Sequence, residues 1–89
     1  MVVKKVKRIK DSEGSTPMNI TGQNIRDARL AANLTQKQLS DKLETLAVYV
    51  CRGSVSRIES GERIVTDLEL QAIAEILHVS IESLFPKRD

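Results

Sequence analysis

Residue types able to do covalent or metal chemistry are scarce in this chain and poorly spaced for it. Cys51 and His78 are its one cysteine and one histidine, and a pair so far apart in sequence does not make a zinc site. A single cysteine forms no internal disulfide. Cys51 reads as a small buried or half-buried filler rather than a redox switch, because only Arg52 and a helix N-terminus stand by to lower its pKa. His78 ends an apolar helix and reads as a partner for its C-terminal dipole. There is no Ser/His/Asp set, no recognisable pair of catalytic carboxylates and no phosphate-cradling glycine loop. No enzymatic activity, metal or cofactor is expected. The chemistry on offer is ionic and hydrogen-bonding recognition, concentrated in Arg52-Gly53-Ser54-Val55-Ser56-Arg57-Ile58-Glu59-Ser60. At helical spacing Val55, Ile58 and Glu59 share one face of this stretch, and Arg52, Ser56 and Arg57 lie largely elsewhere.

Whatever positions that stretch is small. Eighty-nine residues, 40% apolar and 29% charged, make one domain, since single cores usually occupy about 100 to 200 residues. One Tyr, one Phe and no Trp leave the core to Leu, Ile, Val and Ala, which favours packed helices over a sheet sandwich. No segment reads as a signal peptide, and no apolar run approaches the ~18 residues a membrane span needs. A soluble, cytoplasmic protein is expected, with no membrane partner. Charge is uneven: residues 1–20 carry five basic and two acidic side chains, the remaining 69 carry nine and ten. Any nucleic-acid reading of the globular part therefore rests on local charge placement, not on bulk electrostatics.

Residues 1–20 read as a basic arm and linker. Val2, Val3, Val6 and Ile9 alternate irregularly with lysines, which fits a disordered arm or one short amphipathic strand, the arm being favoured, and Asp11 to Pro17 is a polar, turn-rich linker. From Thr21 the pattern is helical, so residues 21–86 form the domain and 87–89 a tail. A first helix is expected over about Gly22 to Ala32, with Ile25, Ala28 and Ala32 on one stripe and Asn33 closing it. Thr35 and Gln38 form a capping box for a second helix that starts at Gln36 and runs to about Ala47, its stripe being Leu39, Leu43, Leu46 and Ala47. The third is the Arg52 to Ser60 stretch, closed by Gly61. Thr66 and Glu69 cap a fourth over about Asp67 to His78, with Leu68, Leu70, Ile73, Ala74 and Leu77 apolar. Ser80 caps a short fifth carrying Ile81, Leu84 and Phe85, stopped by Pro86.

A capped helix, a connection and then a short polar, basic helix with little apolar surface is the arrangement of a helix-turn-helix, whose second helix stays exposed to enter a DNA major groove about 12 Å wide. The strings Ile25-Arg26-Asp27-Ala28-Arg29, Leu34-Thr35-Gln36-Lys37-Gln38-Leu39, Val55 to Arg63, Leu70 to Leu77, and Val79 to Phe85 resemble the Cro and phage-repressor type, or Xre-like, helix-turn-helix over about Thr21 to Pro86. The resemblance implies an all-α, five-helix lambda-repressor-like domain in the cytoplasm of a bacterium or phage, associated with the nucleoid. Double-stranded DNA is then the expected partner, bound by a homodimeric transcriptional repressor.

It also implies roles for particular residues. Gln36 at the start of the second helix matches a phosphate contact, against which stands ordinary helix-start chemistry. Arg52, Gly53 and Arg57 match positions that face base edges, the arginines being suited to guanine O6 and N7. Ser54 and Ser56 are candidates for phosphate or weak base contacts, and Arg63 for the duplex backbone. Arg29 and Glu59 match a structural salt bridge that fixes the third helix against the first. The chain departs from the pattern between the second and third helices, where eleven residues, Glu44 to Ser54, are about five more than a tight turn needs. Either the second helix gains a turn or Ala47 to Cys51 is a longer loop. A minor branch of the family has such an insert, with Ser or Thr capping the third helix where Cys51 stands. A protein partner is the alternative to DNA, as for an antitoxin or anti-repressor partner, contacted through Leu30, Tyr49, Ile64 and Val65.

Overall fold

Thr35 and Thr66 each begin a helix in the manner their spacing predicts. Thr35 Oγ1 accepts from Gln38 N at 3.0 Å while Gln38 Oε1 accepts from Thr35 N at 2.8 Å. Thr66 and Glu69 repeat the exchange at 3.1 and 3.0 Å. Each box satisfies backbone N–H groups that a helix start leaves without partners. The computed structural model describes residues 16–87, with α1 at Gly22–Ala31, α2 at Gln36–Thr45, α3 at Arg52–Ser60, α4 at Asp67–Leu77 and a single 3-10 turn at Glu82–Leu84. Among the described residues there is no strand. The expected arm lies, through residue 15, outside them.

Two expectations are corrected. The fifth helix is not an α-helix, so the described residues hold four. Ser83 donates from both N and Oγ to Ser80, at 3.2 and 2.7 Å, and Pro86 follows too soon for a second turn to form. The second helix stops at Thr45 rather than Ala47. Ala47 adopts φ 61°, and Val48 N turns back to Leu43 O at 3.1 Å, a closure that lets Val48 and Val50 turn inward. Leu46, expected on the apolar stripe, is consequently exposed, as is Leu68 at the start of α4. The insert is therefore a loop.

The core is aliphatic. Ile25 of α1, Leu39 and Leu43 of α2, Val55 and Ile58 of α3, Ile73 of α4 and Leu84 of the 3-10 turn are essentially inaccessible. Burying one such side chain contributes about 1.5 to 3 kcal/mol. α4 gives the core most, with Leu70, Ala72, Ile73, Ala74 and Leu77 buried. No helix of the described residues is long and apolar enough to cross a membrane.

Candidate nucleic-acid interface

The sequence of α3 gives it only two apolar anchors, Val55 and Ile58, and its third buried residue is Glu59. A buried carboxylate is costly unless paired, and Arg29 of α1 pairs it. Arg29 Nε donates to Glu59 Oε2 at 2.6 Å and Nη2 to Oε1 at 3.0 Å, while Nη1 donates to Leu34 O at 2.7 Å. The Glu59 hydrogen bonds raise the Arg29 pKa, so the guanidinium stays charged. Two parallel N–H···O bonds fix both distance and plane, and the expected cross-brace of α1 to α3 is present in this geometry.

The C-terminal end of α3 is held by a second polar arrangement. Gly61 closes the helix in the left-handed conformation, φ 82°. Met18 N donates to Gly61 O at 2.8 Å. Asn19 Nδ2 donates to Ile58 O at 3.0 Å and to Arg63 O at 2.8 Å, while its Oδ1 accepts from Thr21 N at 3.0 Å. One amide thus satisfies carbonyls on the last turn of α3 and on the loop beyond it. Gly22 explains how close the approach is: a Cβ there would lie 2.3 Å from Ile58 O and 2.8 Å from Glu59 O. Sequence reading missed Asn19, Thr21 and Gly22 as supports of α3. Asn19 carried no signal, because its partners lie 39 and 44 residues away. Gly22, an unfavourable residue in a helix, offered a faint one.

With its inner face held, α3 turns Arg52, Gly53, Ser56, Arg57 and Ser60 to solvent, and Ser54 is half-buried. Arg57 Nη2 donates to Ser54 Oγ at 3.3 Å. Around Gly53 there is open space: a methyl at its Cα would find Arg57 Nη1 as its nearest neighbour, at 3.8 Å. Gln36 sits beside α3 and donates from Nε2 to Glu59 Oε1 at 3.0 Å, which joins the start of α2 to the buried ion pair. Arg63 donates to both Glu69 carboxylate oxygens, at 2.9 and 3.0 Å, and to Ile64 O at 2.8 Å. These bonds raise the Arg63 pKa and lower that of Glu69. Arg63 therefore ties the loop after α3 to the first turn of α4.

Cys51 is corrected: it is exposed, not buried. As the N-cap of α3 it makes no side-chain cap hydrogen bond to the helix backbone. Its Sγ lies 3.5 Å from Ser54 Oγ, and that contact is the main cause that lowers its pKa. The backbone here is extended, with Cys51 at φ −70° and ψ 165°, so successive side chains alternate and Cys51 faces solvent while Val50 goes inward and is 3% exposed. Leu30, Tyr49 and Ile64 are exposed and Val65 is half-buried against the core. His78 closes α4 in the left-handed conformation, φ 58°. Among the described residues no cluster of His, Cys, Asp and Glu could hold a metal ion.

Compared with known families, residues 25–84 match the helix-turn-helix family. No curated protein and no solved structure matches the chain.

Proposed function

The chain belongs to the Xre and lambda-repressor-like helix-turn-helix family, a family of DNA-binding regulators, and from that premise we propose that it is a sequence-specific transcriptional repressor whose recognition helix is α3. The observation that carries this is the division of α3 into two faces. Val55, Ile58 and Glu59 are buried, while Arg52 and Arg57 are exposed, and no carboxylate among the described residues pairs with either. Held in a major groove, two such guanidinium groups can each form a bidentate contact with guanine. Gly53, between them in sequence, lets the helix backbone come close to the bases. Ser54 and Ser56 flank the helix as donors to phosphate or bases.

Gln36 and Arg63 are the proposed phosphate contacts. Gln36 uses one amide hydrogen on Glu59 and keeps the other at the start of α2, where the helix dipole favours an anion. Arg63 commits three N–H groups to Glu69 and Ile64, which leaves two of a guanidinium's five for the duplex backbone. Repressors of this architecture act on palindromic sites as homodimers, and recognition helices about 34 Å apart would be expected.

Selection of bound duplexes from a random pool at two salt concentrations tests the proposal, because it separates phosphate attraction from base discrimination. Arg57→Ala should cost about 1 to 3 kcal/mol and relax base preference at one position, whereas Arg63→Ala should weaken all sequences alike. Equal losses on every sequence for Arg57→Ala would remove its base-reading role. A protein-interaction module, such as an antitoxin, is the second reading, supported by the exposed Leu30 and Ile64. Absence of any gel shift on duplexes at low salt would favour it.

A further inference from the structure

Tyr49 is the most exposed large apolar side chain of the described residues, at 74%, yet its backbone is firmly held. Its neighbour Val50 is buried in the core and Val48 is half-buried against it, so the extended segment presents the residue between them outward. Ser40 Oγ donates to Val50 O at 2.6 Å, which fastens the same segment to α2. An aromatic held out on a fixed backbone loses little further freedom when it meets a partner.

Its position relative to α3 identifies the partner. Residues two apart on a helix point about 200° from one another, so Ser54 and Ser56 mark opposite flanks of α3. Ser56 lines a depression of about 330 Å³ together with Gln36 and Arg26. Ser54 lines another, of about 410 Å³, together with Tyr49 and Glu44. A helix seated in a major groove has a phosphate strand on each side. The Gln36 flank already has its proposed donors, and on the other flank Tyr49 supplies a hydroxyl, a group that commonly bonds phosphate oxygens.

We propose that Tyr49 is a DNA-contacting residue whose hydroxyl donates to a backbone phosphate on the flank of α3 away from Gln36. This rests on the DNA-binding reading above. The contact adds affinity on all sequences and carries no base information. Glu44, on the same flank, repels a phosphate electrostatically, so the strand is met there by a neutral donor at the outer rim.

Tyr49 is the one tyrosine of a chain without tryptophan, so intrinsic fluorescence reports on it alone. Duplex titrations of the full chain should quench this emission, after correction for duplex absorbance. Tyr49→Phe should weaken selected and random duplexes alike by about three- to tenfold, with the melting temperature and the selected base preference unchanged. Glu44→Gln should tighten both duplexes about twofold. Equal binding by wild type and Tyr49→Phe would overturn the contact while leaving the DNA reading intact, as would unchanged emission at saturation. Loss confined to one base position would overturn the phosphate assignment. Normal DNA affinity with lost self-association in Tyr49→Ala would give the ring to a second copy instead. Failure of the wild type to bind any duplex would sink the DNA reading itself, and this contact with it.

Discussion

α3 and α4 are successive helices of similar length held by different physics. α4 has a complete capping box and five buried apolar residues, so its own sequence nearly suffices to seat it. α3 has no side-chain cap and two buried apolar residues, and depends on groups delivered from α1, from the start of α2 and from residues 18 and 19. The difference teaches how a helix can keep most of its circumference for a ligand. Apolar burial would consume surface, whereas a few directional polar bonds at one edge and one end fix orientation with little area.

The largest expected effect comes from removing one partner of the buried pair. Glu59→Gln leaves the Arg29 charge buried without its carboxylate and should cost about 3 to 5 kcal/mol. Ile73→Ala in α4 should cost a similar amount, about 2 to 5 kcal/mol. Urea unfolding would give the two losses, and duplex binding measured where each variant remains folded would separate them. Only Glu59→Gln should impair binding per folded molecule, and matching behaviour by Ile73→Ala would erase the contrast between the helices.

Two glycines sharpen the comparison at the next level. Gly22→Ala forces a methyl to within 2.3 Å of Ile58 O, and since a helix backbone cannot yield locally, a loss of about 3 kcal/mol is expected. Gly53→Ala meets nothing closer than 3.8 Å and should stabilise the protein by about 0.5 to 1 kcal/mol. A melting-temperature shift of the same sign in both would contradict a helix clamped inside and open outside.

Asn19→Ala should then cost about 1 to 3 kcal/mol, because it deprives two carbonyls of one donor. Hydrogen exchange should locate the loosening at Ile58 to Arg63, and uniform loss of protection throughout α4 would refute a local clamp. The smallest effect concerns the Arg63–Glu69 pair at the start of α4. Arg63 holds the Glu69 pKa below its ordinary 4.5, so the pair stabilises the fold above that value and the contribution disappears as pH falls through the lower folded value. Both side chains keep solvent contact, 27% and 14%, so the difference between wild type and Glu69→Gln should stay below about 1 kcal/mol at neutral pH. It should vanish in acid, as denaturation midpoints at several pH values would reveal.

How much was legible follows from the range of each interaction. Both capping boxes pair residues three positions apart, and Thr35 with Gln38 and Thr66 with Glu69 form as their spacing implies. The Arg29 and Glu59 pair was legible only through resemblance, being 30 residues apart. Leu46 and Leu68 fit an apolar period yet stand exposed, because a stripe does not say which of its edges the rest of the molecule will cover. Cys51 is exposed against the expectation because burial tendency by residue type holds no record of which residue of an extended segment faces inward, and here it is Val50.

The order of amino acids by itself determined where four helices begin and that the stretch from Arg52 to Ser60 has too little apolar surface to seat itself. Those facts depend on contacts within a turn or two, which the chain carries wherever it goes. Only the tertiary structure decided that α2 ends before Ala47, that Tyr49 is held outward between a half-buried and a buried valine, and that Asn19 and Gly22 support the far end of α3. Each of these depends on what remote segments bring to the same point in space, and a spacing rule along the chain holds no record of such meetings.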